Sequence, residues 1–312
     1  MTIPQDLFKG FFKKVLRPLI GCLVISFIIY YVGLDDIFNK IKLVDFRYIL
    51  LTGVFVFVSF LFGFGNAFLL AYKQVDMSWK VFLMGYWIAW AFSLIVPGQV
   101  GGILSLSLWM KKLGLRWEVG TAVMAVDKVV SLLWMMFFAA FGIGLYLGHL
   151  QITFFLVVLL VAIVLVGSVG LFLFRDRLLK EDDEKRGVFF RIIKAIILTT
   201  TEQKKELLIN ILVTPVTITI GAGAYWAVFL AVGVSTDFIQ VLPLVAVSAL
   251  VAYIPVSLNG VGTAELAGLT LFATIGMDAT SILTAYILLR LTVMTIAWVP
   301  SLMLMSLPSR GA

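Results

Sequence analysis

The sequence predicts an all-α polytopic membrane protein with about six full transmembrane helices and two re-entrant broken hairpins, arranged as an inverted repeat. Three observations lead to this fold class. The 312 residues are 62% hydrophobic and only 13% charged, whereas about a quarter of the residues in a typical soluble protein carry a charge. Several apolar runs are long enough to cross a bilayer. Two more apolar runs are interrupted by proline and glycine.

The start of the chain predicts an uncleaved first helix. Residues 1–18 contain four basic side chains and precede an apolar run at residues 19–32. Bulky side chains at residues 30–32 stand where a signal peptidase site needs small ones, so the run is not a cleaved signal peptide. Its basic end is expected in the cytoplasm. A short polar loop at residues 34–47 and a span at residues 48–72 follow.

The next apolar run, residues 81–110, is interrupted by the sequence PGQVGG at residues 97–102. The apolar remainder is too short to cross a membrane, so the run is either one long kinked helix or a re-entrant pair. Two clear spans follow, at residues 121–147 and 152–174. The re-entrant interpretation keeps the basic segment at residues 175–205 in the cytoplasm, where lysine and arginine accumulate, and one long kinked helix does not. A hairpin deep enough to reach the far side would satisfy the same count.

The second half of the chain repeats this plan. Residues 175–210 are expected to form a cytoplasmic linker. Within it, residues 188–210 form either a helix on the membrane surface or a partner-docking element. A span at residues 211–232, a second broken hairpin at residues 241–277 and a last span at residues 279–307 complete the chain. This topology places both termini in the cytoplasm. It also accounts for the net charge of +7 without a nucleic-acid partner.

Two pseudo-repeats, residues 49–148 and 211–307, lie within a single transmembrane domain that covers residues 1–312. A shift of 162 residues superposes their spans. The same shift aligns Gly98 with Gly260, Gly114 with Gly276, and Lys128 with Arg290. Corresponding spans run in opposite directions in the predicted topology, so the repeat is inverted. Inverted repeats whose broken helices meet near the bilayer midplane are a transporter architecture.

Four ionisable residues lie within the predicted spans and hairpins: Asp127, Lys128, Glu265 and Arg290. Each costs about 2.5–3.5 kcal/mol on insertion scales. Asp127 and Lys128 are neighbours about 100° apart on a helix, so each needs a partner elsewhere. One alternative is a neutral network that only stabilises the fold. The other is a substrate site in which Lys128 and Arg290 bind an anionic headgroup, with Glu265 as a counter-ion or proton-coupling group.

The two breaks supply the other candidate substrate-binding residues, which are Gly98, Gly101, Asn259, Gly260 and Gly262. Glycine permits close backbone approach, and N–H groups at the start of a half-helix suit anions. No GK[ST] sequence follows either break, so neither is a P-loop. The sequence has one cysteine and one histidine, Cys22 and His149. We therefore expect no disulfide framework, metal or other cofactor.

These motifs resemble a flippase-like membrane family that includes the transmembrane half of lysylphosphatidylglycerol synthases. That family has a first break of the type P-G-x-x-G-E, an acid–Arg pair, a second break of the type P-x-x-x-x-G-x-G-x-x-E, and an arginine in the last span. The first break here has Gly102 in place of glutamate, and the pair has Lys128 in place of arginine. The matching positions are Pro97, Gly98, Gly101, Asp127, Pro255, Gly260, Gly262, Glu265 and Arg290.

The resemblance implies movement of a lipid, such as an anionic phospholipid or a polyprenyl-phosphate-linked molecule, across the cytoplasmic (inner) membrane. It does not imply lipid aminoacylation, because the family carries that activity in a soluble domain and residues 175–210 are too short to form one. Two alternatives stay open. One is an integral-membrane enzyme acting on lipid phosphates, and the other is a non-transporting scaffold of an envelope-assembly complex. A homo-oligomer or an envelope-biosynthesis partner is compatible with either.

Overall fold

The structure is a computed structural model that describes residues 32–96, 100–146, 187–253 and 260–306, with a few single positions between 26 and 170. Within these ranges all regular structure is helical. The predicted spans at residues 19–32 and 152–174 lie almost entirely outside the described residues. So do both termini, His149 and the turns of the two predicted hairpins.

The described residues form ten helices. In chain order they are α1 (Leu34–Lys42), α2 (Phe46–Ala71), α3 (Trp79–Ser93), α4 (Val100–Lys112), α5 (Trp117–Tyr146), α6 (Val188–Thr201), α7 (Lys204–Ala231), α8 (Phe238–Tyr253), α9 (Thr263–Ala273) and α10 (Ala279–Ser306).

Four of these helices, α2, α5, α7 and α10, are long and apolar enough to cross a membrane. They correspond to predicted spans, so the polytopic all-helical fold class is confirmed. The start of α7 differs most, because the helix begins well before residue 211. Its first turns carry Glu206 and Asn210, and both side chains have partners elsewhere in the bundle: Lys73 for the first and Asp127 for the second. These partners let a polar segment join the packed helix.

α1 replaces the loop expected at residues 34–47, and that expectation is wrong. Acidic side chains in its first turn and basic ones in its last complement the helix dipole. Its apolar face packs on α10, where Ile37 and Leu283 are both buried. The segment contains many polar residues, so it was predicted as a loop although its apolar residues have the spacing of an amphipathic helix.

α3 and α4 form the first predicted hairpin. A Cβ on Gly101, at the start of α4, would overlap the carbonyl of Phe92 at the end of α3. A Cβ on Gly85, in the middle of α3, would overlap the indole of Trp109 near the end of α4. The two helices are therefore antiparallel. With 15 and 13 residues, both are shorter than the roughly 30 Å hydrocarbon core. A re-entrant pair fits this geometry, and one long helix does not.

α8 and α9 form the second hairpin in the same way. Ser248 Oγ donates a hydrogen bond of 3.1 Å to the carbonyl oxygen of Ala264, and Gly260 lies against Ala252. Gly260 and Gly262 have φ angles of 72° and 84°, a region that side chains rarely tolerate. The turn into α9 therefore requires glycine at both positions.

α6 packs against one end of the bundle. Arg191 forms a salt bridge of 3.2 Å with Glu118 and lies over the Trp117 ring, while Ala195 and Ile197 are buried. Much of its apolar face is therefore covered by protein. Contact of this helix with a membrane surface stays a prediction.

The same end of the bundle contains the turn after α2. Gln74 Nε2 donates a 2.9 Å hydrogen bond to Thr199 Oγ1 of α6. Lys73 binds Glu206, and this hydrogen bond raises the pKa of the Lys73 ammonium group because the carboxylate favours its charged form. We call the end of the bundle that contains Lys73 and Arg191 the basic end. Its cytoplasmic location is a prediction.

Cysteine accessibility tests that topology. In a Cys22→Ser background, Lys112→Cys at the basic end should react with a membrane-impermeant thiol reagent only from the cytoplasm. Asp237→Cys, in the loop before α8, should react only from outside. Both side chains are exposed in the structure. Labelling of the two positions from the same side would contradict the re-entrant topology.

A pair of glycine substitutions tests the packing of the first hairpin. Gly85→Ala should lower stability by about 1–3 kcal/mol, since its Cβ would overlap Trp109. Gly65→Ala is the matched control, because no atom lies within 4 Å of its Cβ position and alanine favours a helix by up to about 1 kcal/mol. Thermal unfolding in detergent measures both. Equal melting temperatures would argue against close packing of α3 on α4.

Candidate functional site

A cavity of about 430 Å³ lies between the two halves of the chain. Side chains from α2, α3, α5, α7, α8, α9 and α10 line it. Asp127, Lys128 and Arg290, three of the four predicted ionisable residues, are among them. Lys128 and Arg290 lie in the middle third of α5 and α10. Both side chains are therefore about three helical turns or more from either end of their helices.

Glu265 does not line the cavity itself, but it forms an ion pair with Arg290, which does. Arg290 Nε and Nη2 donate to Glu265 Oε1 at 2.9 and 2.6 Å. The other carboxylate oxygen, Oε2, accepts a 2.7 Å hydrogen bond from the backbone N–H of Gly262 and caps the start of α9. The Glu265 side chain is only 4% exposed. One carboxylate thus joins the start of α9 to α10.

Arg290 keeps binding capacity despite this ion pair. A guanidinium group has five N–H donors, and Glu265 engages two of them. The other three have no hydrogen-bond partner among the described residues. The side chain is 25% exposed and lines the cavity. It can therefore donate to an anion without releasing Glu265.

Lys128 lines the cavity beside the Asp127 carboxylate. It forms no salt bridge with any residue that the structure describes. Asp127, its neighbour, instead accepts a 3.1 Å hydrogen bond from Asn210 Nδ2. The four charges thus form one ion pair, between Glu265 and Arg290, and do not form a closed network. An ammonium group in this position can bind an anionic ligand.

Three polar residues near Asp127 were missed at the level of sequence: Asn66, Asn210 and Thr214. All three are at most 2% exposed. Asn66 Nδ2 donates to Thr214 Oγ1 at 3.4 Å, and Thr214 Oγ1 donates to the carbonyl oxygen of Asn210 at 2.6 Å. Two asparagines within apolar runs were the signal, since amides inside a membrane need partners.

The predicted glycines have structural contacts instead of positions in the cavity lining. Gly101 and Gly260 allow close packing within the hairpins, and the N–H of Gly262 already binds Glu265. Gly98 and Asn259 lie outside the described residues, so their predicted role stays a prediction.

Aromatic side chains form part of the cavity wall. The rings of Tyr225 and Tyr286 meet edge to face at 5.5 Å, and Tyr286 Oη lies 2.9 Å from Ser248 Oγ. Trp90 and Tyr86 line the wall from α3. These side chains pair a large apolar surface with polar tips, which suits the boundary between a headgroup and its acyl chains.

The part of the chain that the structure describes contains no cluster of three His, Cys, Asp or Glu residues able to hold a metal ion. It also forms no soluble catalytic domain. The membrane-spanning helices, the two short-helix hairpins and the charged cavity define a polytopic membrane protein with an internal polar site.

The chain belongs to the family of the lysylphosphatidylglycerol synthase TM region, whose family model matches residues 15–301. This match confirms the resemblance inferred from the motifs. No curated protein matches significantly. Membership of this family, which is the transmembrane part of a synthase, indicates a function related to membrane lipids.

The ion pair predicts a specific pattern of stability. Arg290→Ala should destabilise the protein by about 3–5 kcal/mol, because it leaves a buried carboxylate without its partner. Adding Glu265→Gln removes that charge, and the glutamine carbonyl oxygen can still accept the Gly262 N–H. The double variant should therefore melt closer to the wild type. Thermal unfolding in detergent measures both. A double variant that melts below Arg290→Ala would contradict this account of the pair.

Proposed function

We propose that this protein is a lipid flippase, a transporter and not an enzyme, which moves an anionic phospholipid or a polyprenyl-phosphate-linked lipid between the leaflets of the cytoplasmic membrane. One observation carries the proposal. Lys128 and Arg290 come from separate halves of the chain, line the same cavity and keep donors that no described residue engages.

The size and charge of the cavity support a phosphate-bearing headgroup. A volume of about 430 Å³ lies within the usual range for small-ligand sites. A phosphate in this site loses water and needs charged donors in exchange, which guanidinium and ammonium groups supply. The cavity is too small for two acyl chains as well. The chains need no protein cover, because the bilayer solvates them, so they should leave sideways between helices.

The helix order supports the inverted repeat on which alternating access depends. A shift of 162 residues brings α2, α3, α4 and α5 close to the bounds of α7, α8, α9 and α10. α2 and α7 are antiparallel. The backbone N–H of Asp45, at the start of α2, donates to the carbonyl oxygen of Ala231 at the end of α7. Lys73, after α2, forms a salt bridge with Glu206 at the start of α7. This pair of corresponding helices thus runs in opposite directions, as an inverted repeat requires.

Each half also packs its long helix on the hairpin of the other half. Gly142 of α5 lies against Pro243 of α8. Trp87 of α3 donates a 3.2 Å hydrogen bond to the carbonyl oxygen of Ile296 in α10. In transporters built from inverted repeats, exchanging the conformations of the two halves opens a central site alternately to each side. The cavity lies between the two halves, so a change in how they pack would alter access to it.

A reconstituted assay tests this function. Vesicles with the purified protein should move a fluorescent phosphate-bearing lipid between leaflets, followed by quenching of the outer leaflet. Lys128→Met should slow this movement about tenfold to hundredfold, because a hydrogen bond to a charged group contributes about 1.5–3 kcal/mol. Lys128→Arg should retain activity, and Lys128→Ala combined with Arg290→Ala should abolish it.

Lys112→Met is the matched control, because Lys112 is exposed at the end of α4. It should leave lipid movement unchanged. Wild-type movement by Lys128→Met, with normal expression and melting temperature, would reject this cavity as the lipid site. Release of a dephosphorylated or otherwise altered lipid would favour an enzyme. A scaffold predicts no lipid movement by the wild type.

A further inference from the structure

The buried polar group beside the lipid cavity contains oxygen atoms that accept no hydrogen bond. It consists of Asp127 on α5, Asn66 on α2, and Asn210 and Thr214 on α7. Asn66 Oδ1 and Asn210 Oδ1 are buried and have no hydrogen-bond partner. Asp127 Oδ2 also accepts no hydrogen bond from a described residue. Buried polar atoms without partners are uncommon in proteins and require an explanation.

The amide orientations in this group are fixed by their partners. Asn210 Nδ2 lies 3.1 Å from the Asp127 carboxylate, which only accepts. Asn66 Nδ2 faces Thr214 Oγ1, whose hydrogen is directed to the carbonyl oxygen of Asn210. Rotating the Asn210 amide would place one acceptor against another. Rotating the Asn66 amide would do the same unless the Thr214 hydroxyl gave up its hydrogen bond to the carbonyl oxygen of Asn210. Both amide oxygens are therefore left without donors.

We propose that Asp127, Asn66, Asn210 and Thr214 bind a sodium ion. A proton on Asp127 would provide a single O–H donor for three unengaged oxygens. A water molecule would provide two donors but would not reduce the negative charge of the carboxylate. One cation neutralises that charge and is shared by several oxygens, and hard cations prefer carboxylate, amide and hydroxyl oxygens. A single carboxylate matches a monovalent ion.

The position of the site gives the sodium ion a role in transport, a step that rests on the proposed flippase function. Asp127, Asn66 and Thr214 line the cavity that contains Lys128 and Arg290. A bound cation balances the Asp127 carboxylate, which would otherwise repel a phosphate. The phosphate in turn balances the cations. Sodium and anionic lipid should therefore strengthen each other's binding, as linkage requires, in the manner of a coupling ion.

Direct binding of sodium tests the site without any lipid assay. The purified full chain in detergent should bind ²²Na⁺ saturably, with competition by NaCl but not by choline chloride at equal ionic strength. Its melting temperature should rise with NaCl concentration. Asp127→Asn and Asn66→Leu should each weaken binding roughly tenfold or more, the scale seen when metal sites lose supporting groups. Asp76→Asn, at an exposed carboxylate, should bind normally.

Two results would overturn the sodium site. One is wild-type protein without saturable ²²Na⁺ binding, which decides the matter even if the variants do not fold. The other is a melting temperature that responds to pH but not to NaCl, which would identify a proton as the occupant.

Lipid movement in NaCl and in choline chloride then tests the coupling. We expect faster movement in NaCl. Sodium binding without an effect on movement would overturn the coupling. Absence of lipid movement together with intact sodium binding would contradict the flippase function and leave the cation site standing.

Discussion

The ion pair between Glu265 and Arg290 is the interaction on which the rest of the site depends. Its carboxylate has two tasks at once: Oε1 binds the guanidinium group of α10, and Oε2 caps the first turn of α9 at Gly262. A buried charge that loses its partner is strongly destabilising. The pair therefore fixes the start of a broken helix against a full span, and it directs Arg290 into the cavity.

The broken helices impose a second constraint on the fold. Backbone groups in hydrocarbon need hydrogen-bond partners, so short helices at membrane depth must be surrounded by protein. Each hairpin meets this requirement by packing on the long helix of the other half, with glycine at the tightest contacts. Gly142 of α5, for example, has Pro243 of α8 where a Cβ would lie. The same close packing leaves a space between the halves, which is the cavity.

The charges around this cavity are unequally matched. Arg290 is paired with Glu265. Within the described residues Lys128 forms no salt bridge, and Asp127 accepts a hydrogen bond from the Asn210 amide. A closed, neutral network would require no ligand. An open set of buried donors and acceptors favours occupants that complete it, because unpartnered polar groups in a low-dielectric interior are costly. An anionic headgroup would accept hydrogen bonds from Lys128 and Arg290, and a small cation would bind the oxygen atoms that lack donors.

The sequence by itself determined the fold class, four of the six predicted spans, the two hairpins of short helices, the family and the charged residues. These depend on local composition, on run length and on short motifs. Only the tertiary structure decided which partners these residues have. Asn66 and Thr214 lie far apart in the chain and meet across two helices, as do Asp127 and Asn210. Hydropathy cannot reveal such pairs, because it averages over neighbours in sequence. The early start of α7 escaped prediction for the same reason, because it depends on contacts with distant segments.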